Sequence, residues 1–131
     1  MLDLLIVETE SSPEINFKMN GKLRIKGRAV SDPDSLLWIN AHEWLSNYSK
    51  TNPTNTTLIL QFDCINTSSS VAILKLLYLI NDLNKEANNV EVIWTYPEND
   101  FQLEEMGRDF EDLLSYKFIF ESFKSKELVT N

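Results

Sequence analysis

The sequence predicts an α/β fold in which helices pack against a mixed β-sheet that begins with an N-terminal β-hairpin. Residues that alternate between apolar and polar on both sides of Asn20-Gly21 indicate the hairpin. The unbroken apolar run Leu58-Ile59-Leu60, followed by Phe62, is typical of a central strand. After the hairpin, helical and strand patterns alternate, which favours right-handed crossovers between parallel strands. With no linker-like segment in the chain, residues 1–131 are expected to form a single domain.

The register of the hairpin follows from the positions of its apolar residues. A two-residue Asn-Gly loop would pair Phe17 with Arg24, which mixes charge into the core face. A three-residue loop that ends at a left-handed Gly21 instead pairs Phe17 with Leu23. We therefore predict the three-residue loop, which also explains the basic cluster of this region as a solvated face formed by Lys18, Lys22, Arg24 and Lys26.

Hydrophobic periodicity and turn signals predict the remaining elements. They are a strand from Leu4 to Glu8, a helix from the Ser31-Asp32-Pro33-Asp34 start to about Tyr48, the longest helix from Val71 to about Asn88, a strand from Val90 to Tyr96, an acidic amphipathic helix from Asn99 to Leu114, and a short strand or docked tail over Lys117 to Phe120.

Composition argues against several classes of function. A net charge of −8 disfavours nucleic-acid binding, and no apolar run approaches the roughly 18 residues of a membrane-spanning helix. The single cysteine, Cys64, excludes an internal disulfide, and with no signal-peptide pattern a cytoplasmic location is expected. One histidine, His42, and three glycines offer neither a supported catalytic dyad nor a phosphate-binding loop. We therefore expect no enzymatic activity, no metal and no cofactor.

The most informative segment is Asn66-Thr67-Ser68-Ser69-Ser70, between the central strand and the longest helix. Residues of these types are the preferred N-caps of helices, and the segment offers more of them than one helix start needs. A helix N-terminus also holds a phosphate or carboxylate well, because its free N–H groups and positive dipole end point outward. The segment is therefore either an ordinary cap or the place where the protein handles a phosphate.

The longest helix carries a second apolar stripe besides its core face. Val71, Leu74 and Tyr78 fall on a different side of the helix from the main apolar face, together with charged residues. The stripe is either in contact with a neighbouring helix or a patch that faces a partner protein.

The chain resembles the SiaC family of regulatory phosphoproteins, and the Asn66 to Ser70 run is the specific element of that resemblance. Supporting matches extend over nearly the whole chain, although Val71 stands where family members often carry lysine and Arg108 interrupts the acidic segment. These matches are Thr9, Pro13, Glu14, Ile15 and Phe17 near the start, Leu23 to Ile25 with Gly27, the strand Trp94-Thr95-Tyr96, and Gly107, Asp109 and Phe110.

The resemblance implies a STAS-like domain that works by partner switching. It implies that a dedicated kinase phosphorylates Thr67, that a phosphatase removes the phosphate, and that Asn66, Ser68, Ser69 and Ser70 flank or cap this site. It also implies that the unphosphorylated form binds and activates a diguanylate cyclase, which raises cyclic-di-GMP and promotes biofilm or aggregation. Val71, Leu74 and Tyr78 are the expected partner surface. The alternative from a different class is a small-ligand or anion-binding domain that uses the amides of Thr67 to Ser70.

Overall fold

A six-stranded β-sheet forms the centre of the fold, and its strands lie side by side in the same order as in the sequence. The computed structural model describes residues 1–32, 35–85 and 89–124. The strands are β1 (Leu4–Ile6), β2 (Glu14–Phe17), β3 (Lys22–Ala29), β4 (Asn55–Ile65), β5 (Asn89–Pro97) and β6 (Ile119–Phe123); the helices are α1 (Leu36–Ser49), α2 (Thr67–Lys85) and α3 (Phe101–Leu114). The predicted mixed α/β class is confirmed, and within the described ranges no helix is long and apolar enough to cross a membrane.

The first three strands form the antiparallel part of the sheet, and the predicted hairpin register is confirmed. Phe17 pairs with Leu23 and Ile15 with Ile25, and all four side chains are buried. Gly21 has a φ of +94°, the left-handed conformation that the three-residue loop requires. Alternate residues of β3 are exposed or half-buried on the opposite face, where Arg24 forms an ion pair of 2.7 Å with Glu14.

Strands β3 to β6 are parallel to one another, and each is joined to the next by one helix. Right-handed crossovers between strands in sequential order place every connecting helix on the same side of the sheet. The core accordingly lies between one sheet face and the helices, and β4 is central as predicted. Its inward side chains Leu58, Leu60 and Phe62 are each 1% exposed.

This topology decides where the helices begin. A helix that connects two parallel strands starts at the carboxyl end of the first strand and returns antiparallel to it. The first residues of α1, α2 and α3, which are Leu36, Thr67 and Phe101, therefore lie along the same edge of the sheet. We call this edge, formed by the carboxyl ends of β3, β4 and β5 and the first turns of the three helices, the helix-start edge.

Several predicted boundaries need correction. Strand β1 ends at Ile6 rather than Glu8. Helix α1 begins at Leu36 with Ser35 at the N-cap position, which is later than the predicted start at residues 31–34. Pro33, Asp34 and the predicted helix end at Asn88 lie outside the described residues. The segment after α3 is a true strand, since β6 pairs in parallel with β5.

Candidate functional site

The start of α2 differs from the prediction in a way that bears on function. The helix begins at Thr67, four residues before the predicted Val71, so that the serines belong to its first turn. The prediction that Thr67 precedes the helix is therefore wrong, because Thr67 is its first residue. The cap is Asn66, whose Oδ1 accepts a hydrogen bond of 2.8 Å from the Ser69 N–H while its carbonyl accepts one of 3.0 Å from Ser70.

The hydroxyl groups of the first turn lie in very different surroundings. Thr67 is exposed, Ser68 and Ser70 are half-buried, and Ser69 is 0% exposed. The Ser70 hydroxyl donates a hydrogen bond of 2.6 Å to the carbonyl oxygen of Thr67, which holds it against the helix. Of the flanking residues predicted from the sequence, Asn66 is therefore the cap, and Thr67 offers the most accessible hydroxyl.

Ser69 is buried because it joins α2 to the connection that follows β3. Its Oγ accepts a hydrogen bond of 3.2 Å from the Ser31 N–H and donates one of 2.9 Å to the Ser31 carbonyl oxygen. The Ser31 hydroxyl in turn accepts a hydrogen bond of 3.2 Å from Nε1 of Trp38, a buried residue of α1. A fourth contact, the 2.9 Å hydrogen bond from the Asn66 N–H to the Ala29 carbonyl, fixes the same turn to the end of β3.

The predicted partner residues continue from Thr67 along the outer surface of α2. At about 100° per residue, Thr67, Val71, Leu74 and Tyr78 lie within about 60° of one another around the helix axis. Val71 is 46% and Tyr78 47% exposed, whereas Leu74 is half-buried and packs against the core. We call Thr67, Val71, Leu74 and Tyr78 the α2 stripe; its exposed part is Thr67, Val71 and Tyr78.

Two large side chains that sequence reasoning did not single out accompany Thr67 at the helix-start edge. Leu36 at the start of α1 is 73% exposed, and Phe101 at the start of α3 is 71% exposed. A signal for Phe101 was present, because it directly follows the capping residue Asp100, whose carboxylate accepts a hydrogen bond from the Leu103 N–H. Both side chains are thus largely exposed at the first position of their helices.

A cleft of about 130 Å³ separates the end of β4 from the start of α3 at the same edge. Its lining comprises Asp63, Cys64 and Ile65 from β4 and Asp100, Gln102, Leu103 and Met106 from the α3 side. Within the described ranges, no three His, Cys, Asp or Glu side chains are placed to hold a metal ion.

The profile of the SiaC family regulatory phosphoproteins matches residues 6–123. Comparison with curated proteins gives no match. A chain in the crystal structure of diguanylate cyclase SiaD in complex with its activator SiaC, from Pseudomonas aeruginosa, is 23% identical with a TM-score of 0.85, covering 92% of this chain and 100% of that one. SiaC of the same organism gives a TM-score of 0.79 at 24% identity over 94% and 100% of the two chains. Apo-SiaC, also from that organism, gives 0.78 at 22% identity over 93% and 98%. Since the family profile covers nearly the whole chain, this protein belongs to the SiaC family of regulatory phosphoproteins.

Proposed function

We propose that this protein is a non-enzymatic, phosphorylation-controlled regulator that binds and activates a diguanylate cyclase through its unphosphorylated form. A dedicated kinase adds phosphate to Thr67 and a phosphatase removes it. The observation that carries the proposal is the position of Thr67: it is exposed, and it heads the same stripe of α2 as Val71 and Tyr78. The modified hydroxyl and the partner surface are thus neighbours on one helix.

Burial supports Thr67 over the adjacent serines as the phosphoacceptor. Phosphorylation of Ser69 would require the enzyme to break both hydrogen bonds to Ser31 and open a site that is 0% exposed. The Ser70 hydroxyl is already donated to the Thr67 carbonyl. Ser68 is the next most accessible candidate, being half-buried.

The fold is suited to carry a phosphate on Thr67. Because Asn66 already accepts the N–H groups of Ser69 and Ser70, those of Thr67 and Ser68 are the ones left at the head of α2, and no hydrogen bond within the described residues uses them. A phosphate near the start of a helix is stabilised by such N–H groups and by the helix dipole. We expect the phosphorylated domain to remain folded.

The same phosphate opposes a partner that covers the α2 stripe. It brings about −1.5 to −2 charges, which a docked apolar surface would have to desolvate without compensation. A loss of about 2.7 kcal/mol weakens binding about a hundredfold. One modification can therefore leave the domain folded and still remove the partner.

The first test measures the affinity of the purified diguanylate cyclase for wild type, Thr67→Ala, Thr67→Glu and the phosphorylated protein. Thr67→Ala should bind like the unmodified wild type, and the phosphorylated protein about a hundredfold more weakly. Thr67→Glu should fall in between, since a carboxylate carries about half the charge of phosphate. Melting temperatures should stay nearly equal, because charge is tolerated at the start of the helix. Tighter binding by the phosphorylated protein than by Thr67→Ala would reverse the proposed direction of the switch.

A second test addresses the α2 stripe through Tyr78→Ala. Aromatic anchors often dominate interfaces, so the variant should bind the cyclase at least about fivefold more weakly. Since Tyr78 is 47% exposed, the domain should remain folded. Leu113→Ala, which removes a side chain that is 59% exposed near the end of α3, is the matched control and should bind normally. Unchanged binding by Tyr78→Ala would remove this residue from the interface.

The alternative of a small-ligand or anion-binding domain receives less support from the site. Only the N–H groups of Thr67 and Ser68 remain for a ligand, since the other two of the first turn are bonded to Asn66. Native mass spectrometry of the protein from its own cells distinguishes the two functions. A covalent phosphate supports the switch, and a retained small molecule supports the alternative.

A further inference from the structure

We propose that Leu36 and Phe101 are the recognition residues by which the kinase binds this domain, with Thr67 between them. The inference rests on the proposed phosphorylation of Thr67 and adds which surface the kinase uses. The three residues are the first of α1, α2 and α3, and the two hydrophobic ones are 73% and 71% exposed. A protein that covers this edge buries both side chains, and removing apolar surface from water favours its binding.

Contacts within the domain place the two hydrophobic residues on opposite sides of Thr67. On the α1 side, the buried Ser69 is bonded to Ser31, only a few residues before Leu36. On the α3 side, Ile65 and Asp100 line the cleft between β4 and α3; Ile65 lies two residues before Thr67 and Asp100 directly before Phe101. α1 and α3 both pack against α2, and packed helices have their axes about 10 Å apart, so Leu36 and Phe101 begin the two helices that flank the helix of Thr67.

The chemistry of phosphate transfer requires the kinase to cover the surface around Thr67. The Thr67 hydroxyl oxygen attacks the γ-phosphorus of a nucleoside triphosphate, an O–P bond forms, and the bond to the bridging oxygen breaks. The nucleoside diphosphate leaves, and a base of the kinase takes the hydroxyl proton. The reacting atoms must approach to about 3–3.5 Å, which holds the kinase directly over Thr67 and against both flanking residues.

The negative charge of the helix-start edge indicates what kind of kinase surface can bind it. Exposed carboxylates of Asp32, Asp63 and Glu98 lie at the same helix-start edge, at the ends of β3, β4 and β5. A kinase face that complements this edge presents apolar sockets for Leu36 and Phe101 surrounded by basic side chains. The domain is thus recognised as a folded three-helix edge rather than as a linear sequence around Thr67.

The test measures phosphate transfer from radiolabelled ATP to the purified full-length chain in an extract of its own cells, at increasing chain concentration. Phe101→Ala and Leu36→Ala should each raise the apparent KM at least about fivefold, with Thr67 still the labelled residue. Leu113→Ala, at the far end of α3, should behave as wild type. All variants should melt like wild type, since the replaced side chains are exposed.

The outcomes separate this inference from the proposed function. If wild type is never labelled at Thr67 in the extract, the proposed phosphorylation and this inference both fail. If wild type is labelled and both the Phe101 and Leu36 variants keep its KM, only the recognition surface is wrong. An equal rise in KM for Leu113→Ala would contradict a local docking edge. The KM of wild type should also rise with salt, because salt screens the attraction between the acidic edge and a basic kinase face; a KM that does not rise would contradict the charge complementarity.

Discussion

The two ends of the parallel strands are built differently. At the helix-start edge, Leu36, Thr67 and Phe101 are exposed to solvent. At the opposite end, where β3, β4 and β5 begin, side chains bond to one another instead: the Tyr48 hydroxyl with Thr56 Oγ1 at 2.7 Å, and Asn89 Nδ2 with Asn55 Oδ1 at 3.1 Å. At one end of the sheet, polar side chains are thus bonded to one another, and we call it the closed end. The other end, the helix-start edge, exposes large hydrophobic side chains.

This difference predicts that substitutions at the two ends have different effects. At the closed end these hydroxyl and amide groups have partners inside the chain, so a substitution of one of them should act on folding. At the helix-start edge the exposed side chains contribute little to the core, so substitutions there should act on partners. Ser69 is the exception, because it lies at the helix-start edge but is buried and bonded to Ser31.

The largest expected effect on stability is at the closed end, for Gly21→Ala. Gly21 has a φ of +94°, and a Cβ there would lie 2.2 Å from the backbone oxygen of Asn55. Left-handed strain and this clash with backbone should together lower the free energy of unfolding by at least about 2 kcal/mol. Urea denaturation measures the change. Near-wild-type stability would show that this end adjusts easily, and the contrast between the two ends would disappear.

A smaller effect is expected for Ser69→Ala, which sharpens the comparison within the helix-start edge. The variant removes both hydrogen bonds to Ser31, and the half-buried Ser31 N–H and carbonyl lose these partners. We expect a loss of about 1–2 kcal/mol of unfolding free energy, since water can replace part of the bonding. The matched control is Ser70→Ala, whose local bond to Thr67 should be worth less than about 0.5 kcal/mol. Equal losses for the two variants would mean that burial of Ser69 contributes nothing.

Local patterns predicted much of the fold because they depend on neighbours in sequence. The pairing of Phe17 with Leu23 follows from two-residue alternation and one glycine, and both are local. The central position of β4 follows from its continuous apolar run. The start of α2 could not be predicted in the same way, since every residue from Asn66 to Ser70 is an acceptable N-cap or first-turn residue and local preference does not rank them.

The sequence by itself thus determined the class of fold and the hairpin, and it singled out Asn66 to Ser70 as the segment of a phosphorylation that stays a prediction. Tertiary structure alone decided which hydroxyl is available. The Asn66 N–H bonds to Ala29 and the Ser69 hydroxyl to Ser31, partners more than thirty residues away in sequence that β3 brings alongside β4. These contacts fix Asn66 as the cap and bury Ser69, because a buried hydroxyl must find hydrogen-bond partners. Thr67 is left exposed at the start of α2, between two hydrophobic residues that only the parallel crossovers bring to its sides.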